Sequence, residues 1–455
     1  MRNAVLLTMD PDRPDPFPGW FSVGADGRLT AVEAGEPPTS VTGGLTTEQV
    51  LDAGGALVGP GFVSAHSHLF TSASRGLAMD QSLYGWIEAM TRYTNAADAE
   101  DVYWLTRHGS QDFLRNGITT AFDFTSAGLP FEKESEGVSR YSADLPDTGF
   151  QHAQLRAKVD AGLRHVHSVM LGQGDVRQAD ALAQLDDVVA AAADADPALH
   201  LGVAVSGTVQ WAESRDAAVL EVAAMRRHGL LNQPHFLETP HEIALQQSKF
   251  AWYADAGALG PDLVFGHFIQ TNEEILQAAA AAGCGMSWQP MSNGRLASGV
   301  ARIPRIRELG IRVGIGLDDQ SCTDVSDPWG NLRTALALLR ATHRDPAAMP
   351  VRDVLELHTR GSAEVLGLDG EVGTLRVGRY ADFLVVDPRQ PDTGPVWDAV
   401  GTYVLACSLR NLRSVWVGGR QVADGARLCD PQSPAVEDEV HERMARLRTE
   451  VDAAR

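Results

Sequence analysis

Between residue 60 and about residue 360 the chain alternates short apolar runs with longer segments of helical period. Eight of the runs read as strands: "FVSAHSH" (62–68), "ITTAFDF" (118–124), "HVHSVML" (165–171), "LHLGVAV" (199–205), "QPHFLE" (233–238), "LVFGHFI" (263–269), "CGMSWQ" (284–289) and "RVGIGLD" (312–318). Segments such as "AEDVYWLTRHGSQDFLRNG" and "NEEILQAAAAAG" separate them and read as amphipathic helices. Eight β/α repeats over about 250–300 residues predict an α/β fold, a (β/α)8 TIM-type barrel.

The flanks have a different texture. Residues 1–59 carry short strand patterns ("NAVLLTM", "WFSVGADGRLTAV", "VLDAGGALV"), with Ala25-Asp26-Gly27 as a hairpin turn. After residue 372 the same texture returns in "GTLRVGRYADFLVVD" and "LRSVWVGGRQVADG". The expected organisation is a β-sandwich satellite domain built from 1–59 and 372–455, with the barrel of 60–371 inserted between its halves. A closing helix is expected after Ser433 and Pro434, with Val436, Val440, Met444, Leu447 and Val451 on one face. The stretch 127–150 is long, polar and aperiodic. It follows the second barrel strand, so it is expected to form a lid or pocket wall.

Charge narrows the function. A net charge of −21 disfavours nucleic acid and anionic membrane surfaces as partners and leaves a small molecule as the expected one. The cysteines Cys284, Cys322, Cys407 and Cys429 form no close pair and read as reduced thiols. The N-terminal apolar patch is too short for a signal peptide, and no run reaches the length of a membrane span, which implies a cytoplasmic protein.

Candidate chemistry collects at strand ends, where a barrel carries its active site. His66 and His68 lie two residues apart on one face of the first strand, so both imidazoles can meet one ion. The fifth strand holds His235 followed by Glu238, and the sixth ends near His267. In the eighth, Val313, Ile315 and Leu317 take the helix-facing side. Gly314, Gly316 and Asp318 then face inward, which selects Asp318 over Asp319. Imidazole and carboxylate donors with an open position suit one divalent ion, Zn2+ before Fe2+ or Mn2+.

These segments, in this order, resemble the amidohydrolase superfamily, in the branch of cytosine, guanine and S-adenosylhomocysteine deaminases and triazine hydrolases. "VLDAGGALVGPGFVSAHSHLF", "SRGLAMDQSLYGWI", "HFLETPHE", "GHFI", "SNGRLASGVARIP", "GIGLDD" and "GTLRVGRYADFLVVD" carry the likeness over nearly the whole chain. The resemblance implies that His66, His68, His235 and Asp318 bind the ion. It implies Glu238 as proton shuttle and His267 beside the ion, in contact with water or substrate. Dinuclear relatives bridge two metals with a Lys or Glu at the fourth strand end. Here that end reads "GVAVSGTVQW", and the three lysines (Lys133, Lys158, Lys249) lie elsewhere, which points to one metal. The pair His165 and His167 has no counterpart in the pattern and reads as structural, with pocket lining as the alternative. The branch also implies a homo-oligomer, a dimer or tetramer.

Two departures bear on substrate. Asp319 and Gln320 stand where the family ordinarily has Gly after the eighth-strand Asp, and Trp288 and Gln289 stand where smaller residues are common. Arg75, Trp86, Trp211, Trp288, Gln289, Asn293, Asp319 and Gln320 are the candidates for gripping a planar polar substrate. Three functions remain open: deamination or dechlorination of a nitrogen heterocycle, hydrolysis of a cyclic amide, imide or amidine, and non-catalytic binding on the same fold.

Overall fold

Short apolar runs become strands at both ends of the chain. In the computed structural model, which describes residues 1–42, 50–129, 131–135, 138–141, 145, 148–172 and 177–453, the first four are β1 (Ala4–Leu6), β2 (Phe17–Val23), β3 (Leu29–Ala34) and β4 (Leu57–Pro60). Next come β5 (Phe62–His68) and β6 (Ile118–Phe124), then a small ribbon of β7 (Phe131–Ser135) and β8 (Val138–Tyr141). The regular series resumes with β9 (Arg164–Met170), β10 (His200–Gly207), β11 (Leu231–Phe236), β12 (Val264–His267), β13 (Gly285–Trp288), β14 (Arg312–Ile315) and β15 (Asp318–Asp319). The chain closes with β16 (Phe383–Val386), β17 (Leu412–Val417), β18 (Arg420–Asp424) and β19 (Arg427–Leu428).

Two compact units result: residues 1–64, 112–120 and 327–431, and residues 65–111, 121–326 and 432–455. In the first, strands from both chain ends form one mixed eight-stranded sheet, ordered β19-β18-β17-β16-β4-β1-β2-β3. The joint is β4 beside β16, antiparallel, with Val58 opposite Val385. Leu6, Phe21, Val58, Phe383 and Val385 share its core, and each such buried side chain contributes about 1.5–3 kcal/mol relative to exposure. The expected hairpin joins β2 to β3: Gly27 takes φ +76°, and Gly24 N–H donates to Arg28 O at 2.8 Å.

The second sheet runs β14-β13-β12-β11-β10-β9-β6-β5-β15. Its pairings from β9 to β14 are parallel, as in β/α repeats. Past β14 the chain returns to the first strand of the set, where Asp318 pairs with Ser67 and Asp319 with His68, again in parallel. That connectivity is consistent with a TIM-type barrel. All seven residues of β6 are buried, as expected of a strand covered on both faces. The sixth and eighth strands are shorter than their apolar runs because the backbone leaves the extended region: His267, Phe268 and Asp318 take φ of +66°, +49° and +70°.

The closing helix spans Ser433–Ala453. Val440, Met444 and Leu447 pack with Val102 and Leu105, and Arg443 and Arg446 both reach the buried carboxylate of Asp101. Within 127–150 the described backbone forms the β7–β8 ribbon, with Phe131 opposite Tyr141. The lid or pocket-wall reading of that stretch falls largely on side chains outside the described residues. Among the described residues no helix is long and apolar enough to cross a membrane.

Candidate metal centre

His66 stands at a crowded point, and glycine makes room for it. A Cβ on Gly316 would lie 2.6 Å from His66 Cβ and 2.7 Å from its carbonyl oxygen, and one on Gly266 would lie 3.0 Å from its Cε1. Replacing Gly316 with Ala is therefore expected to cost about 1–3 kcal/mol of stability and to weaken ion binding by shifting His66. Thermal unfolding and metal content check both effects; unchanged values would mean the backbone yields at no cost. The neighbouring Ser67 turns outward and donates to Phe122 O at 2.6 Å.

The donor atoms converge. His68 Nε2 lies 3.3 Å from His66 Nε2 and 3.0 Å from His235 Nε2. Asp318 Oδ1 lies 3.4 Å from His66 Nε2 and 3.6 Å from His68 Nε2. Four donors about 2.0–2.1 Å from a common ion have tetrahedral edges of about 3.3 Å, so these separations fit one ion. The hydrogen bonds behind His66 fit it too. Gln233 Nε2 donates to Ala65 O at 2.9 Å, so its Oε1 accepts from His66 Nδ1–H at 2.6 Å. The lone pair of His66 then lies on Nε2, facing the other donors.

Electrostatics keep the set ready. Burial, then the neighbouring imidazoles, pull His68 down to about 3 and His235 well below its ordinary value, so both rings are neutral at pH 7. Burial alone would raise Asp318, but His267, His66 and His68 around it hold its carboxyl well below the usual range.

A second set shares the same carboxylate. His267 Nε2 lies 3.6 Å from Glu238 Oε2 and 3.9 Å from Asp318 Oδ2. Asn293 Nδ2 donates to His267 Nδ1 at 2.9 Å, and Gln289 Oε1 accepts from the His267 backbone N–H at 2.9 Å. With Asn293 as donor, the ring proton of His267 sits on Nε2, aimed at the two carboxyl groups. Glu238 Oε2 and His267 Nε2 are buried and make no hydrogen bond among the described residues. Burial, then the charge of Asp318, raises Glu238 well above the usual carboxyl range, and the same causes raise Asp319. Left-handed backbone at His267 and Asp318 places strain at this point, where it serves to aim side chains.

His68, His235, Glu238, His267, Asp318 and Asp319 form the floor of a cavity of about 1000 Å³, its open mouth included. Residues 57–422 match the amidohydrolase family. The chain belongs to the amidohydrolase family. Among curated relatives of this amidohydrolase, a 5-methylthioadenosine/S-adenosylhomocysteine deaminase of Syntrophobacter fumaroxidans is 30% identical over 450 residues, covering 97% of this chain and 95% of that one. A 5'-deoxyadenosine deaminase of Methanosarcina acetivorans is 27% identical over 434 residues, covering 94% and 93%. An adenosine deaminase from Xanthomonas campestris, solved with bound zinc, superposes with a TM-score of 0.85 at 20% identity, covering 98% of each chain.

The amidohydrolase chain brings His66, His68, His235 and Asp318 within 4.8 Å of one another through their donor atoms, and likewise Glu238, His267 and Asp318. Of the residues expected to grip substrate, Trp86, Trp211 and Asp319 line the cavity. Trp288 is fully buried and off the lining, as are Arg75, Gln289, Asn293 and Gln320. Gln289 and Asn293 hold His267 instead, and Gln320 Nε2 donates to Gly109 O and Ser326 Oγ. Two contributors went unnoticed in the sequence. Gln233 shares the face of His235, two residues earlier, and that spacing was the available signal. Phe124, the last residue of β6, stacks on the His68 ring at 4.8 Å and 15° and touches His66 and His235 at 4.4 Å each.

Proposed function

We propose that this chain is a metal-dependent hydrolytic deaminase of an aminated nitrogen heterocycle, with an aminopurine nucleoside as first candidate. The observation that carries the reading is the pair of buried atoms without hydrogen bonds, Glu238 Oε2 and His267 Nε2, beside a three-histidine, one-carboxylate cluster. A binding protein needs no such pair, whereas a hydrolase must move protons at that point. The relatives named as nucleoside deaminases support it, because the likeness to them spans nearly the whole chain.

His66, His68, His235 and Asp318 would hold one divalent ion, Zn2+ first and Fe2+ or Mn2+ as alternatives. Bound there, the ion supplies Lewis acidity that makes water a nucleophile at neutral pH. Asp318, a carboxylate among imidazoles, accepts the proton that water gives up. Glu238, kept protonated by burial, donates to a ring nitrogen next to the attacked carbon, takes over the proton that Asp318 removed from water and passes it to the departing amine, and regains its own from the remaining hydroxyl as the carbonyl forms. His267 Nε2–H stabilises negative charge developing opposite Glu238. The apolar walls, Leu83, Trp86, Ile87 and Met90 among them, suit the faces of a planar ring.

The alternative, cyclic-amide hydrolysis, draws on the unusual Trp288 and Asp319; Trp288 lies off the cavity lining, while Asp319 is on it. The same proposal includes a closed (β/α)8 barrel of residues 60–371 with a β-sandwich from 1–59 and 372–455, supported by the pairing of β15 with β5. It also includes a cytoplasmic homo-oligomer, dimer or tetramer, acting on a small molecule. The charge of −21 supports the absence of nucleic-acid and membrane partners.

The test is a product panel. Purified enzyme with 5'-methylthioadenosine, 5'-deoxyadenosine, guanine or cytosine is expected to release ammonia. A ring-opened acid from a cyclic imide, or chloride from a chlorotriazine, with no ammonia from any amine, would reject deamination in favour of those chemistries.

A further inference from the structure

The helix Gly149–Ala161 is polar where a helix covering a sheet is ordinarily apolar. Gln151, Gln154 and Lys158, spaced three and four apart on one face, are 5%, 0% and 0% exposed. Each grips the end of β6. Gln151 Nε2 and Gln154 Nε2 donate to Ser126 O, and Gln154 Oε1 accepts from Ser126 N–H at 2.8 Å. Lys158 Nζ donates to Asp123 Oδ2 at 2.6 Å and to His167 Nδ1 at 2.9 Å. A lysine only donates, so His167 Nδ1 accepts, and its Nε2–H donates to Gln151 Oε1 at 2.9 Å. Thr125, on the cavity lining, has its Oγ1 2.7 Å from the same oxygen and 2.6 Å from Ser168 O, and its single proton serves one of the two. These bonds tie the helix to the end of β6. They also give His167 a place: the ring faces the helix, while Met170 of the same strand lines the cavity.

The network ends at the cluster. Asp123 Oδ1 accepts the backbone N–H of Leu69 at 3.0 Å, the residue after His68. Phe124, between Asp123 and Thr125, packs on three of the four donor side chains. A buried ion pair contributes little net stability over an apolar pair of similar volume. Its consequence lies in the orientation it imposes.

We propose that Lys158 is a positioning residue for the ion cradle: through Asp123 it fixes the strand end that orients His68 and seats Phe124 against the histidines. The inference rests on the metal-centre reading above. Its test compares parent and Lys158→Met, each stripped of metal and then titrated with zinc against a chromogenic chelator. The electronic spectrum of the Co2+-loaded form is recorded in parallel, all well below the unfolding temperature. The variant is expected to bind one ion about 10–100-fold more weakly, with a shifted Co2+ spectrum. An affinity within about twofold of the parent and an unchanged spectrum, with only a lower melting temperature, would overturn the proposal, because the pair would then be merely structural. Should Lys158→Met fail to fold with Asp123 left charged, the double variant Asp123→Asn/Lys158→Met removes both charges and faces the same two outcomes. A parent chain that binds no zinc would reject the metal-centre reading, and this inference with it.

Discussion

Glu238→Gln is expected to lower kcat by about 10²–10⁴-fold, the usual contribution of a positioned acid–base group, while the ion stays bound at its parental stoichiometry. The two effects separate because Glu238 lies outside the four-donor set and joins the cluster only through His267 and Asp318. Gln keeps the shape and one carbonyl oxygen but has no acidic proton to give a ring nitrogen. No hydrogen bond of Glu238 Oε2 is lost, since it makes none, so the fold should tolerate the change. Steady-state kinetics and elemental analysis on the same preparation check it. Near-parental turnover would remove Glu238 from the mechanism, and loss of the ion would make it a ligand instead.

Asp318→Asn should cost more, about 10⁴-fold or beyond, because two roles end together. The cluster loses its only negative donor, and the water loses its proton acceptor. Three imidazoles remain, with His68 Nε2 3.3 Å from His66 Nε2 and 3.0 Å from His235 Nε2, so excess zinc is expected to refill the site. Refilling tells the roles apart. If saturating zinc restores the ion but not turnover, Asp318 handles a proton as well as binding metal. If it restores both, Asp318 is a ligand alone.

Much of this site could be read from period-two alternation. That rule places His66 with His68; it also selects Asp318, whose carboxylate lies 3.4 Å from His66 Nε2, although the strand ends at Ile315 and Asp319 Oδ2 is as near His68 Nε2, at 3.6 Å, as Asp318 Oδ1 is. The pairing of the two chain ends was legible from their shared strand texture, and β4 beside β16 realises it. Other features depend on distances that no spacing encodes. Asn293 and Gln289 looked like substrate contacts, but they are spent on His267. Trp288 also reads as a substrate contact, but it is enclosed in the core. The helix Gly149–Ala161 carries a polar stripe inward, the reverse of the pattern that marks a buried face, so the sequence gives no sign of the place Lys158 takes. Strand ends were overrun at His267 and Asp318 because apolar runs give no warning of left-handed backbone.

The most direct test of a single-ion deaminase is ammonia released per mole of 5'-methylthioadenosine consumed, measured before chelation, after it, and after one equivalent of zinc is returned. One ammonia per substrate is expected, abolished by chelation and restored by zinc. Substrate consumed without ammonia, or ammonia release indifferent to chelation in protein shown to be metal-free, would contradict the single-ion deaminase.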